Sequence, residues 1–149
     1  MPDTSTALFF EVFNEIGIIE QLSRAILEAR LPHGLIAPHF TVLNHLCRVA
    51  DGRTPMEMAR AFQVPKTSMT HTLKGLESHG LVELRPNAED GRSKRVWLTQ
   101  AGRALRDQAI ADLGPEFAKL ARGFDMDRLV AIQPVLSDLR QYLDAARDP

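Results

Sequence analysis

The stretch DGRSKRVWLTQAGR, residues 90–103, combines a turn, a basic cluster, an apolar strand and the start of a helix. Arg92, Lys94 and Arg95 place three positive charges within four positions. Val96 and Leu98 then alternate with other residues as in a half-buried strand. A solvated loop and an anion-binding loop both fit this composition, so the surrounding sequence decides between them.

A short helix with one polar face is predicted before this stretch. After Val64, apolar residues at Met69, Leu73 and Leu76 are spaced by four and three positions, which marks one buried helix face. Gly80 is expected to end the helix in a left-handed conformation. The opposite face carries short polar or basic side chains, namely Thr67, Thr70, His71, Lys74 and Ser78.

Other elements are predicted around this helix. Strands are expected at residues 81–85 and 94–98, joined by the turn-rich loop PNAEDGR. Thr54, Pro55 and Glu57 form a capping-box pattern that begins a helix ending near Gln63. The helix before it is predicted at residues 38–50, with Phe40, Leu43, Leu46 and Cys47 facing inward.

Two long helical regions flank these elements. Apolar residues recur every three or four positions over residues 5–30, and they provide more apolar surface than one core requires, which predicts burial against a second subunit. Thr99 is expected to cap the next helix, in which Gly114–Pro115 predicts a kink or a break. The last helix is predicted from after Asp125 to about residue 146, with a bend at Pro134.

Composition limits the possible classes of protein. The 149 residues fit one domain, and the apolar share of 44% and charged share of 25% are typical of globular proteins. The net charge of −1 provides no overall attraction to nucleic acid. However, residues 64–98 contain six basic and four acidic residues, so a local positive field is predicted there.

The cysteine content and the N-terminus predict a cytoplasmic protein that has no membrane partner. Cys47 is the single cysteine, so an internal disulfide is excluded, and burial without reactivity is expected for it. The N-terminus has neither a basic segment nor a long apolar run, as a secretion signal would require.

The order of helices and hairpin, with long helices on both sides, resembles the MarR family of bacterial winged-helix transcriptional regulators over nearly the whole chain. The residues that carry this resemblance are Asp90 and Arg92 in the wing, Leu98, Thr99 and Gly102 after it, and Leu76, Glu77, Gly80 and Leu81 before it. The resemblance implies a mainly α fold with a small β-hairpin wing (α+β). Residues 37–103 would form the winged helix-turn-helix, and residues 1–36 and 104–149 would form the dimerisation region.

For the recognition helix, the resemblance implies contacts to the major groove and to phosphates. The residues implied are Lys66, Thr67, Ser68, Thr70, His71 and Lys74. Two positions depart from the family pattern. His71 stands where an arginine is common, and Gly75 stands where a long polar residue is common. These two departures are expected to affect the base preference more than they affect phosphate binding.

For the wing, the resemblance implies that Arg92 enters the minor groove or grips a phosphate, with Asp90 orienting it. Lys94 and Arg95 would hold the flanking phosphate backbone. A winged-helix protein-interaction module that does not bind DNA is the alternative, and it predicts an apolar or acidic recognition face.

Further expectations concern partners and chemistry. The resemblance implies a homodimer on a pseudo-palindromic operator. It also implies a repressor that is relieved by a small aromatic or phenolic effector, whose binding cleft Phe13, His39 and Phe40 could line. No cofactor is predicted, and the histidines at positions 33, 39 and 45 lack a metal-ligand spacing. No catalytic motif is present, so the chain is predicted not to be an enzyme.

Overall fold

The computed structural model describes residues 3–147 of the chain. In chain order the elements are α1 (Thr4–Glu28), α2 (Ala37–Arg48), α3 (Pro55–Phe62), α4 (Lys66–Ser78), β1 (Val82–Pro86), β2 (Lys94–Leu98), α5 (Gln100–Gly123) and α6 (Met126–Ala146). The predicted class, mainly α with a small hairpin, is confirmed. Contacts group the chain into a first unit that ends at Leu113 and a second that begins at Gly114.

The helix boundaries follow local capping chemistry. The Thr54 hydroxyl accepts a hydrogen bond from the Glu57 backbone N–H at 3.2 Å, and the Glu57 carboxylate accepts one from the Thr54 N–H at 3.4 Å. The predicted capping box of α3 is therefore confirmed. After α4, Gly80 has a φ of +70°, which confirms the predicted left-handed stop.

The core of the first unit lies between α2, α3, α4 and the hairpin. The predicted inward residues of α4, Met69, Leu73 and Leu76, are all buried. The other fully buried large side chains are Val42, Leu43, Met58 and Val96.

In α2 the prediction was partly wrong. Phe40 and Cys47 are half-buried, whereas Val42 and His39 are buried. The buried face follows the helical spacing 39, 42, 43 and 46, which turns Phe40 and Cys47 toward the edge of the core.

The hairpin is antiparallel, with Val82 opposite Leu98 and Leu84 opposite Val96. β1 begins one residue later than predicted and includes Pro86, while β2 has the predicted bounds. The connection between α2 and α3 adds a bridge to β2. The Val96 N–H donates to the Arg53 carbonyl at 2.8 Å, and the Gly52 N–H donates to the Val96 carbonyl at 3.0 Å. The hairpin is thus attached to the helices at its inner strand.

The start of α5 is attached to the end of α4. Thr99 caps α5 as predicted, because its hydroxyl accepts a hydrogen bond from the Gly102 N–H at 3.0 Å, and the same hydroxyl donates to the Gly80 carbonyl at 2.8 Å. A Cβ at Gly102 would collide with the carbonyl oxygen of Leu81. Only glycine therefore allows this close approach between α5 and the chain that enters β1.

Of the predicted kink or break at Gly114–Pro115, the break does not occur, because α5 continues to Gly123. Pro115 lacks the N–H that would bond to the carbonyl of Ala111, and both residues are exposed. Water can therefore solvate that carbonyl, which lowers the cost of keeping a proline inside the helix. α6 begins after Asp125 and ends at Ala146, as predicted.

The long helices leave much apolar surface exposed. α1 has no buried residue, and its exposed apolar side chains include Leu8, Phe9, Phe10, Phe13, Ile16, Ile18, Ile19 and Leu22. In the second unit, α6 likewise has no buried residue. Across residues 3–147, none of the helices is both long enough and apolar enough to cross a bilayer.

Candidate nucleic-acid interface

The exposed face of α4 forms a shallow hollow lined by polar and basic residues. Its lining comprises Lys66, Thr67, Thr70, His71 and Lys74, around a volume of about 300 Å³. Five of the six recognition-helix residues predicted from the sequence are thus brought together. Ser68 is also exposed, but it lies toward a different cleft, described below.

The charge of this face is positive. Lys66 and Lys74 have no ion-pair partner among residues 3–147. The N-cap residue Pro65 provides no side-chain hydrogen bond, so the first N–H groups of α4 remain available at the positive end of the helix dipole. The face can therefore hold an anion next to hydroxyl groups that can donate or accept hydrogen bonds.

Two threonine hydroxyls of α4 are oriented by hydrogen bonds to the helix backbone. The Thr70 hydroxyl donates to the Lys66 carbonyl at 2.9 Å, and the Thr72 hydroxyl donates to the Ser68 carbonyl at 3.1 Å. Each of these hydroxyls keeps its acceptor capacity after donating this bond. Thr70 is therefore oriented to accept a hydrogen bond from a partner that meets the exposed face.

At the wing, the structure keeps Arg92 and Lys94 exposed. The Asp90 carboxylate accepts a hydrogen bond from the backbone N–H of Arg92 at 3.0 Å, and the Asp90 carbonyl accepts one from the Ser93 N–H at 3.2 Å. Asp90 thus shapes the backbone turn that presents Arg92. The prediction that Asp90 orients Arg92 did not specify this backbone contact.

Arg95 is placed differently from its neighbours. Its side chain is about one third exposed, and its guanidinium donates to Asn87, Gly52 and Glu89 of the same chain. The prediction that Arg95 holds DNA backbone did not anticipate these partners. Asn87, a buried polar residue, was missed entirely, although an asparagine inside a turn-rich loop is a recognisable signal for local hydrogen bonding.

His39 was predicted as an effector-lining residue, and the structure places it in the packing between α2 and α4. It is 9% exposed, and its Nδ1 accepts a hydrogen bond from the Ile36 N–H at 2.9 Å, which caps α2. A Cβ at Gly75 would lie 2.7 Å from the His39 Nε2. Gly75, a departure from the family pattern, is therefore explained by the ring that packs against it.

The other two effector candidates differ from His39 in burial. Phe13 is exposed on α1 and contacts Phe9 at a ring separation of 5.8 Å, and Phe40 is half-buried on α2. A mainly apolar cleft of about 340 Å³ is present elsewhere in the first unit. Its lining comprises Glu20, Arg24, Ala37, Pro38, Thr41, Val42, Phe62, Val64, Ser68, Met69 and Thr72, and none of the three candidates.

Comparison with known proteins agrees with this geometry. The family model described as MarR family matches residues 33–93, which include the helix-turn-helix and the wing loop. Wild-type MarR from E. coli, in its apo form, is 27% identical over 85% of this chain and 94% of its own, with a TM-score of 0.73.

Two further solved structures are similar. A cysteine-to-serine mutant of MarR from E. coli, complexed with operator DNA, is 26% identical over 93% of this chain and 99% of its own, with a TM-score of 0.72. A MarR family transcriptional regulator from Rhodococcus sp. RHA1 shares the fold at 22% identity, over 100% of this chain and 99% of its own, with a TM-score of 0.67. The expected resemblance to the MarR family is confirmed.

The buried His39 and the half-buried His45 predict a pH-dependent stability. Burial, with His79 and His71 nearby, holds the pKa of His39 below its usual value, and burial and Arg53 do the same for His45. In the unfolded chain these groups titrate at about 6.5. The unfolded chain therefore binds protons that the folded chain does not, and stability falls as pH drops from about 6.5 towards the lower folded pKa values.

We expect His39→Gln to weaken this pH dependence by at most about 1.4 kcal/mol per pH unit. Glutamine can still accept the Ile36 N–H, so the α2 cap is kept. Urea unfolding between about pH 5 and pH 8, at fixed protein concentration, measures the slope. His33→Gln, at an exposed position, is the matched control. An unchanged slope in His39→Gln would contradict the assignment.

Proposed function

From the match of residues 33–93 to the MarR family model, we propose that the chain is a homodimeric, sequence-specific DNA-binding regulator. The carrying observation is the exposed, positively charged face of α4, in the same unit as a wing that keeps Arg92 and Lys94 exposed. The solved MarR in complex with operator DNA supports this reading.

In this proposal α4 enters the major groove. Its 13 residues give a rod of about 20 Å, and its outward side chains are small enough for close approach to base edges. Thr67, Thr70 and His71 offer hydrogen-bonding groups to bases, and Lys66 and Lys74 reach phosphates or guanine edges. His71 can donate to a base or accept from one, according to its tautomer, so it reads bases differently from the arginine common in the family.

The wing completes the contact. Arg92 is proposed to reach the minor groove or its phosphates, since its guanidinium has no intramolecular partner within the described part of the chain. Lys94 is proposed to lie along the phosphate backbone. A protein-interaction module would need apolar or acidic residues on this face, whereas the residues that line the hollow on α4 are hydroxyl-bearing or basic, which favours DNA as the partner.

Dimer formation is proposed from the exposed apolar residues of the long helices. α1 has 25 residues and none of them is buried, although its sequence is rich in phenylalanine, isoleucine and leucine. A second copy would bury this surface. In this proposal residues 1–36 and 104–149 form the dimerisation region and residues 37–103 bind DNA. Two-fold symmetry then presents two α4 helices to half-sites about 10 base pairs apart.

Regulation is proposed to be repression relieved by a small aromatic or phenolic acid. The cleft of about 340 Å³ is the best candidate for its binding site, because its lining is mainly apolar and it has a cation at its edge. Arg24 lies 3.4 Å from Glu20 there, so a carboxylate ligand would compete with Glu20 for the guanidinium. Ser68 and Thr72 of α4 line the same cleft, so an occupant can act on the recognition helix directly. In a bacterial cell such a regulator acts in the cytoplasm, with the chromosome.

Replacing Arg92 with Ala is expected to weaken operator binding about ten-fold or more and to lower the salt dependence by about one unit of slope per protomer, because one phosphate-neutralising charge is lost. Fluorescence anisotropy with DNA selected in vitro, measured across a salt series, gives both quantities. Lys119→Ala, on an exposed part of α5, is the control. Equal affinity and slope in Arg92→Ala and wild type would support the protein-interaction alternative.

Placing a charge on the apolar face of α1 is expected to dissociate the dimer. Leu22→Glu would bury a carboxylate in the proposed interface, at a cost of several kcal/mol. Val49→Glu is a matched control, because Val49 has the same exposure of 63% and lies outside the long helices. Analytical ultracentrifugation measures the mass of each variant. A wild-type monomer, or a Leu22→Glu dimer, would contradict the proposed interface.

Calorimetric titration with a panel of aromatic carboxylates tests the effector proposal. We expect at least one to bind with micromolar to millimolar affinity and to lower operator affinity, and Arg24→Gln to weaken that binding about ten-fold because one charge-assisted hydrogen bond is lost. Arg48→Gln, at an exposed position outside the cleft, is the control. If no carboxylate in the panel binds, a constitutive or protein-controlled regulator is preferred.

A further inference from the structure

The loop of the wing is organised around one buried amide. Asn87 is only 7% exposed, although it lies in the connection between β1 and β2. Its Nδ2 donates to the Ser93 hydroxyl at 3.0 Å, and its Oδ1 accepts from the Glu89 N–H at 3.1 Å. Its backbone N–H donates to the Ser93 carbonyl at 3.3 Å. Asn87 thus joins the two sides of the loop.

Arg95 connects this amide to another part of the chain. Its Nε donates to the Asn87 Oδ1 at 3.1 Å, and its Nη1 donates to the Gly52 carbonyl at 2.9 Å. Its Nη2 lies 3.4 Å from the Glu89 carboxylate. A planar guanidinium can serve three acceptors in fixed directions at once, which an ammonium group cannot do with the same geometry.

The Gly52 carbonyl is a rigid anchor for this arginine. Gly52 has a φ of +70°, and a Cβ there would lie 2.6 Å from the ring of Trp97. Its N–H is hydrogen-bonded to the Val96 carbonyl at 3.0 Å. The neighbouring Asp51 carboxylate accepts the Leu98 N–H at 2.9 Å. The connection between α2 and α3 is therefore held against β2, and Arg95 extends that attachment to the wing loop.

We propose that Arg95 is a positioning residue for the wing: through Asn87 and Gly52 it holds the loop that presents Arg92, and it does not act as a phosphate contact. This inference rests on the proposed DNA-binding function. The Nε, Nη1 and Nη2 atoms of Arg95 each donate a hydrogen bond within the chain, and Glu89 offsets part of the arginine's charge. Ordering the loop before DNA arrives removes an entropy cost from binding, which raises affinity without an added contact.

Hydrogen exchange of the free protein, followed by NMR, tests the positioning role without DNA. In Arg95→Gln we expect the amides of Glu89, Arg92 and Ser93, which bond within the loop, to exchange about ten-fold faster or more, with α2, α3 and α4 unchanged. Unchanged loop amides would overturn the proposal. A uniform rise across α2, α3 and α4 would also overturn it, since it would indicate general destabilisation.

Arg95→Lys separates geometry from charge in the same two measurements. Lysine keeps the positive charge, so a phosphate contact would survive with near wild-type operator affinity. A positioning role predicts instead that Arg95→Lys and Arg95→Gln speed loop exchange and weaken operator binding to a similar degree. Wild-type behaviour of Arg95→Lys in both measurements would overturn the proposal.

A double-mutant cycle on operator DNA completes the test. If Arg95 acts through the loop, the loss caused by Arg92→Ala should shrink towards one-fold in the Arg95→Gln background. Lys66→Ala, on α4, should stay additive with Arg95→Gln. Additive losses for the Arg92 pair would overturn the proposal. If the wild-type chain binds no DNA, the proposed function fails, while hydrogen exchange still decides whether Arg95 orders the loop.

Discussion

The backbone bridge between Val96 and Arg53 is the interaction on which the arrangement of the winged helix depends. Two strands alone are marginally stable in water, because a hairpin exposes both faces and both edges. Here β2 is paired on one side with β1 and on the other with the α2–α3 connection, and the Val96 side chain is completely buried. The wing therefore projects from the same core that supports α4, and the strand that ends the wing loop has a fixed position on that core.

Two glycines allow close contacts at α4 and at the residues that follow it. At Gly75 the absence of a side chain admits the ring of His39, and at Gly102 it admits the carbonyl of Leu81. The first contact seats α2 against α4, and the second seats α5 against the chain that leaves α4. Both contacts use backbone surface that any larger residue would block.

Much of the fold was predictable because its signals are local. The helix spacing of Met69, Leu73 and Leu76 identified the buried face of α4, and Thr54, Gly80 and Thr99 marked helix ends through capping chemistry. The errors arose where the environment decides. Phe40 and Cys47 have the residue types of a core, but the rotation of α2 leaves them half-buried. Pro115 reads as a helix breaker, yet its exposed position lets α5 continue.

Taken alone, the sequence determined the element types, the polar face of α4 and the basic character of the wing, since each depends on spacing over a few residues. Tertiary structure alone decided what each charged group is free to do. Arg92 and Arg95 are three positions apart and chemically identical, but one is exposed and the other bonds to Gly52, 43 residues away. Such a contact depends on how the α2–α3 connection packs against β2, and no local pattern encodes that distance.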